Sequence, residues 1–116
     1  MRPKVVLLAT REGLGQVRPG DRDFGLAMFE KLLHTLESQP RKPAAICFYT
    51  EGVRLVCAGS PLVPALQLIA GMGVKLVACE SCLVQYGLRD AVRVGTVGGM
   101  KEIVAELLSA DSVVTL

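Results

Sequence analysis

The chain has 116 residues and carries 13 Lys and Arg against 11 Asp and Glu, a formal charge of +2. That length lets one domain bury a real core without staples, and no basic cluster interleaved with aromatics points to nucleic acid. Hydrophobic residues make up 51% of it but aromatics only 4%, with no Trp, so the core has to be assembled from Val, Leu, Ile and Ala, and no apolar stretch approaches the roughly 20 residues that cross a bilayer.

The opening Met1-Arg2-Pro3-Lys4 and the apolar run after it have the outline of a signal peptide. The run is too short, however, and Arg11-Glu12 ends it. Lys4 to Thr10 is read instead as a strand buried on both faces. Arg11 to Arg22, with three glycines and Pro19, is expected to be irregular. From Asp23, a candidate N-cap, Leu26, Phe29, Leu32, Leu33 and Leu36 recur at helical spacing until Pro40 stops the pattern. Ala44 to Tyr49 is a second strand, closed by Thr50-Glu51-Gly52, and Val53 to Ala58 fits either a short strand or an extended loop.

Ser60-Pro61 has the form of a helix start, and Leu62, Leu66, Ile69 and Ala70 keep the 3.6-residue period to Gly71 or Gly73. Val74 to Ala78 is a third strand, Cys79 to Tyr86 a short helix ended by Gly87, and Ala91 to Val94 a fourth strand. Gly98-Gly99 opens a last helix with a predicted inner face of Met100, Ile103, Val104, Leu107 and Leu108. Val113 to Leu116 is the final strand. Short apolar strands alternating with amphipathic helices predict right-handed crossovers and a mostly parallel sheet of about five strands with helices on both faces, in one domain over residues 1–116.

In such a sheet the ligand crevice lies outside the carboxyl ends of the strands. Thr10 to Arg22, Thr50-Glu51-Gly52, Cys79 to Cys82 and Gly95 to Gly99 all fall there. Cys79-Glu80-Ser81-Cys82 is the strongest of these features. A thiol in the first turn of a helix faces unpaired N–H groups, which favour the thiolate, and the thiolate is the nucleophile. Such a pair can take up sulfane sulfur, exchange with a disulfide or hold a soft metal, and the second cysteine can resolve an adduct on the first. The competing reading makes both small hydrophobes in a packed junction.

Cys47 is read as core and Cys57 as a residue beyond a strand end. With no export signal, the four cysteines are expected in a reducing cytoplasm. Zinc held by Cys57, Cys79, Cys82 and His34 lacks the second close-spaced ligand pair of structural sites, so no metal is expected, and no cofactor. Gly13-Leu14-Gly15-Gln16-Val17-Arg18 follows the first strand as a dinucleotide fingerprint does, but its third glycine is missing and Pro19 interrupts the receiving helix. The alternatives for this loop are a rim whose Arg11, Arg18 and Arg22 attract an anion, or plain solvated surface. Gly98-Gly99 is either an anion cradle or a tight turn.

Gly20 to Gly25, Phe48-Tyr49-Thr50-Glu51-Gly52-Val53, Gly59-Ser60, Cys79 to Leu83 with Tyr86-Gly87-Leu88, Val94-Gly95 and Ala110-Asp111 together resemble the DsrE/DsrF-like family. The likeness is strongest to the DsrE-like domain at the C-terminal end of YedF-type proteins. The resemblance implies a three-layer α/β/α sandwich and a sulfur carrier or sulfurtransferase in which Cys79 accepts a persulfide sulfur and Cys82 resolves or relays it. Thr10, Arg11, Glu51, Gly52, Ser81 and Gly98 would shape the substrate site. It further implies a homo-oligomer (dimer, trimer or hexamer). The sulfur donor or acceptor would be a separate, TusA-like protein, because no TusA-like segment precedes this domain. A non-catalytic binding or regulatory subunit and a thiol-disulfide redox protein are the alternatives.

Overall fold

The computed structural model describes residues 3–116, so Met1 and Arg2 lie outside the described residues. Among the described residues five strands form one sheet: β1 (Val5–Ala9), β2 (Ala45–Phe48), β3 (Lys75–Cys79), β4 (Thr96–Gly98) and β5 (Ser112–Thr115). Their order is β4-β3-β2-β1-β5, and every pairing is parallel. Four α-helices connect them: α1 (Arg22–Glu37), α2 (Val63–Gly71), α3 (Glu80–Gln85) and α4 (Met100–Ser109).

The first four strands step in one direction across the sheet, whereas α4 carries the chain back past β1 to β5. Right-handed crossovers in opposite directions put their helices on opposite faces. Accordingly α1 and α2 pack on each other, and α4 lies against β3 and β4. The expected layered α/β architecture with a parallel sheet is therefore present.

β2 and most of β3 are sandwiched, with Ala45, Ile46, Cys47 and Phe48 buried without exception. That explains why they read as unbroken apolar runs rather than alternating ones. Phe29 and Leu33 of α1 and Leu66 and Ile69 of α2 complete one side of the core, and Ile103 of α4 enters the other. Full burial of each such side chain stabilises the fold by about 1.5–3 kcal/mol. Among the described residues no helix is long and apolar enough to cross a membrane.

Several sequence expectations are corrected. Val53 to Ala58, read as strand or loop, instead begins inside a 3₁₀ segment over Thr50–Val56, with Gly52, Val53, Leu55 and Val56 buried. A 3₁₀ turn at Pro19–Asp21 interrupts the loop expected to be irregular, and α1 starts at Arg22, one residue before Asp23. Ser60 and Pro61 sit in a turn in which Ser60 Oγ accepts from the Leu62 N–H at 3.2 Å, and the helix proper starts at Val63 with Pro64 in its first turn. The fourth strand is Thr96–Gly98 and not 91–94, where Val92 makes only an isolated antiparallel bridge to Cys57.

In α4 only Ile103 is fully buried. Met100, Val104 and Leu108 are 53%, 40% and 83% exposed. Glu106 fixes this roll of the helix, because its carboxylate meets Lys4 Nζ at 3.1 Å and Lys75 Nζ at 3.0 Å at the amino ends of β1 and β3. Those two bridges turn the Ile103 and Glu106 side toward the sheet and leave the apolar flank outside. β5 has a partner only in β1, and its Val113 and Val114 are exposed.

Candidate functional site

The carboxyl ends of β1, β2 and β3 converge on the cysteine pair. Cys79 is the last residue of β3 and the N-cap of α3, and 1% of it is exposed. Cys82 lies one turn further on and is half-buried. α3 is a six-residue helix that stops at Tyr86, with Gly87 in the left-handed region at φ 69°. Such a short element sums little dipole. The donor that meets the sulfur comes from elsewhere: the main-chain N–H of Thr50 points at Cys82 Sγ at 3.0 Å.

Thr50 is held for this role from three directions. Its φ is +49°, a conformation that costs a β-branched residue about 1–3 kcal/mol and persists only where its surroundings dictate it. Its Oγ1 hydrogen is shared between the carbonyls of Tyr49 at 2.7 Å and Thr10 at 2.9 Å, the second of which ties the end of β2 to the end of β1, while Tyr49 N–H donates to Ala9 O at 3.2 Å. The next turn presses onto β1 so closely that a Cβ on Gly52 would stand 1.9 Å from Ala9 O. Only glycine fits there.

Beyond Thr50, Glu51 and Arg54 form an ion pair at 2.7 Å, and the Arg54 guanidinium lies 4.5 Å over the ring of Tyr86. Tyr86 sits four residues after Cys82, with the Glu51 carboxylate among the charges that act on it. Desolvation first, then the Glu51 carboxylate, push its phenol above the ordinary range. Cys82 is pulled both ways. Burial raises its pKa most, the Thr50 N–H draws it down, and the Cys79 thiol, within hydrogen-bonding reach, raises it again. The result lies above an ordinary thiol, so the resting group is protonated, contrary to the expectation of a helix-stabilised thiolate.

Of the expected site residues, Cys79, Cys82, Glu51, Gly52 and the Thr10 carbonyl come together. Ser81 is exposed on α3. Gly98 is buried beside Cys79 in the sheet register, where a Cβ would press on Glu102 and Val77, so it serves packing and not a ligand. Arg11 lines a separate groove of about 320 Å³ with Arg18, Pro19 and Arg22. There Arg22 is engaged by Glu12 at 2.7 Å. Cys57 is buried and its thiol donates to Val53 O, and His34 pairs with Glu37 on the exposed side of α1. Among the described residues no group of three or more His, Cys, Asp or Glu is placed to hold a metal.

Three residues of the site have roles that the sequence analysis does not assign. Thr50 acts through its main chain, which leaves no side-chain signature. Tyr86 and Arg54 were detectable as the residue four after Cys82 and the residue three after Glu51, spacings that bring side chains together in helical segments.

No curated protein matches the sequence. Solved structures do. YchN of E. coli superposes with a TM-score of 0.69 at 18% identity, over 99% of this chain and 100% of its own. The protein of unknown function MTH1491 from Methanobacterium thermoautotrophicum gives 0.71 at 17%, over 99% and 100%, and BT1422 from Bacteroides thetaiotaomicron gives 0.69 at 15%, over 98% and 95%. At these identities the likeness speaks for the fold. The sequence itself carries the ancestry, since the model of one family matches residues 21–116, from the start of α1 through β5. This chain belongs to the DsrE/DsrF-like family.

Proposed function

We propose that the protein is a sulfur carrier or sulfurtransferase that takes sulfane sulfur as a persulfide on its cysteine pair. The observation that carries this reading is the partly exposed Cys82 at the strand ends, with the Thr50 N–H on its sulfur at 3.0 Å and a second cysteine in the same helical turn. Family membership supports the same chemistry. The resemblance assigned the acceptor role to Cys79, but with 1% of its surface exposed no donor reaches it, and the entry sulfur in this reading is Cys82. Its deprotonated sulfur attacks the outer sulfur of the donor. The donor's S–S bond breaks, its electron pair leaves on the donor sulfur, and a Cys82 persulfide forms. Thr50 N–H steadies negative charge on Sγ during the exchange.

The donor is a separate protein, TusA-like in the YedF-type version of the reading. Cys82 must be a free thiol to load, which fits a reducing compartment such as the cytoplasm. The apolar flank Met100, Val104 and Leu108 and the open edge of β5 support assembly into a homo-oligomer. One observation favours the non-catalytic alternative, namely the upward pKa shift of Cys82, which slows attack at neutral pH.

The test is sulfur loading. Reduced protein is incubated with a cysteine desulfurase and cysteine, and the peptide spanning Cys79 and Cys82 is weighed. A gain of one sulfur, about 32 Da, is expected in Cys79→Ala and not in Cys82→Ala. No gain in either variant or in the unmodified protein means a non-catalytic subunit.

A further inference from the structure

We infer that Cys79 is a resolving thiol that converts sulfur loaded on Cys82 into free hydrosulfide, so that the pair releases inorganic sulfide. This rests on the carrier reading above and adds a second activity to it. The geometry favours release over storage. A donor reaches Cys82 only from its exposed side, so the added sulfur stands on that side. Cys79 is the N-cap of α3 and Cys82 the third residue of that helix, so the two side chains share its first turn, and Cys79 is itself almost wholly buried. A nucleophile on the inner side and a leaving group on the outer side is the in-line arrangement of a thiol-disulfide displacement. The Thr50 N–H on Sγ withdraws electron density from the atom under attack.

Transfer of the outer sulfur to Cys79 is the competing step, and burial disfavours it. Cys79 is flanked in the sheet by Gly98, whose Cβ position is already filled by Val77 and Glu102, and an acceptor protein has no path to it. The spacing permits ring closure, since residues three apart at a helix start have Cα atoms within the about 4.4–6.8 Å that a disulfide spans.

The step balances. The Cys79 sulfur loses its proton and bonds to the inner sulfur of the Cys82 persulfide. The bond between the two persulfide sulfurs breaks, and its electron pair leaves with the outer sulfur, which takes up the proton as hydrosulfide. Cys79 is oxidised, the outer sulfur is reduced and the Cys82 sulfur keeps its oxidation level. An external low-molecular-weight thiol or dithiol protein then reduces the disulfide and resets the pair.

The experiment loads unmodified protein and Cys79→Ala anaerobically with glutathione persulfide, desalts both, and follows free sulfide together with the mass of the cysteine peptide. The unmodified protein is expected to release about one sulfide per chain and to finish as a Cys79–Cys82 disulfide, two hydrogens lighter than the dithiol. Cys79→Ala is expected to keep its added sulfur until an external thiol is supplied. Equal retention of sulfur by both proteins, with no sulfide, overturns the resolving role while leaving the carrier intact. Loading of neither overturns both. Circular dichroism of Cys79→Ala verifies that the variant is folded.

Discussion

Gly52 and Ala9 approach so closely that a β-carbon on the glycine would overlap the Ala9 carbonyl oxygen, at 1.9 Å. Both partners are main chain, so no rotamer change relieves the clash. This contact seats the segment after β2 on the end of β1 and thereby sets where the Thr50 amide points. Gly52→Ala is expected to cost about 3 kcal/mol or more and to lower the melting temperature by about 10 °C or more. Gly20→Ala, where a new methyl meets nothing within 4 Å, is the control and is expected to stay within about 1 kcal/mol of the parent. Thermal denaturation followed by circular dichroism reads both.

The four thiols should separate by access and by pH. Iodoacetamide is expected to label Cys82 first in the native protein, with Cys47, Cys57 and Cys79 modified only on unfolding. Because the Cys82 pKa is raised, labelling at pH 7 should run slower than that of free cysteine and keep accelerating beyond the pH at which free cysteine levels off. Peptide mapping across a pH series measures this. Labelling of Cys79 at the rate of Cys82 would contradict the burial described.

Glu106 ties α4 to the amino ends of two strands, and its carboxyl is held below the ordinary range by Lys75 and Lys4. A depressed carboxylate stabilises the fold above its unfolded pKa, and that contribution disappears as pH falls through the folded value. Glu106→Gln is therefore expected to lose about 1 kcal/mol at pH 7, a modest figure because both lysines are partly solvated. The gap should close in acid, below the folded pKa of Glu106. Urea titrations at the two pH values give the comparison.

Burial raises the pKa of Cys47 and of Cys57. For a thiol raised in the native state, the stability contribution is complete below the unfolded pKa of about 8.5 and is lost as pH climbs toward the folded value, since only the unfolded chain ionises freely there. Melting temperatures are expected to fall above about pH 8.5. In Cys47→Ala, which starts about 1 kcal/mol less stable, that alkaline decline should be shallower.

Most of the framework was legible in the sequence because β1, β2 and β3 are buried on both faces and announce themselves as apolar runs between helical periods. The unread parts share one cause, which is that tertiary contacts outweighed local pattern. Val92 and Val94 have the composition of a strand, yet Gly95 turns the chain against Leu76 and only Thr96–Gly98, with a glycine at its end, joins the sheet. Met100, Val104 and Leu108 keep an inward period but are rolled outward by the lysine bridges to Glu106. At the site, the Cys-x-x-Cys spacing was plain. Which sulfur is reachable was not, because it depends on where β3 ends within the sheet. The donor to Cys82 was unreadable because a peptide N–H belongs to every residue alike.

The left-handed backbone at Thr50 bears on how the proposed sulfur exchange would be linked to folding. An amide fixed in a costly conformation by its anchor to Thr10 keeps its aim whether or not a sulfur is bound, so an incoming donor finds the dipole already oriented and no segment has to reorder. Chemistry at Cys82 then inherits the rigidity of the strand ends. Loosening them by a few degrees would blunt the exchange well before the chain began to melt.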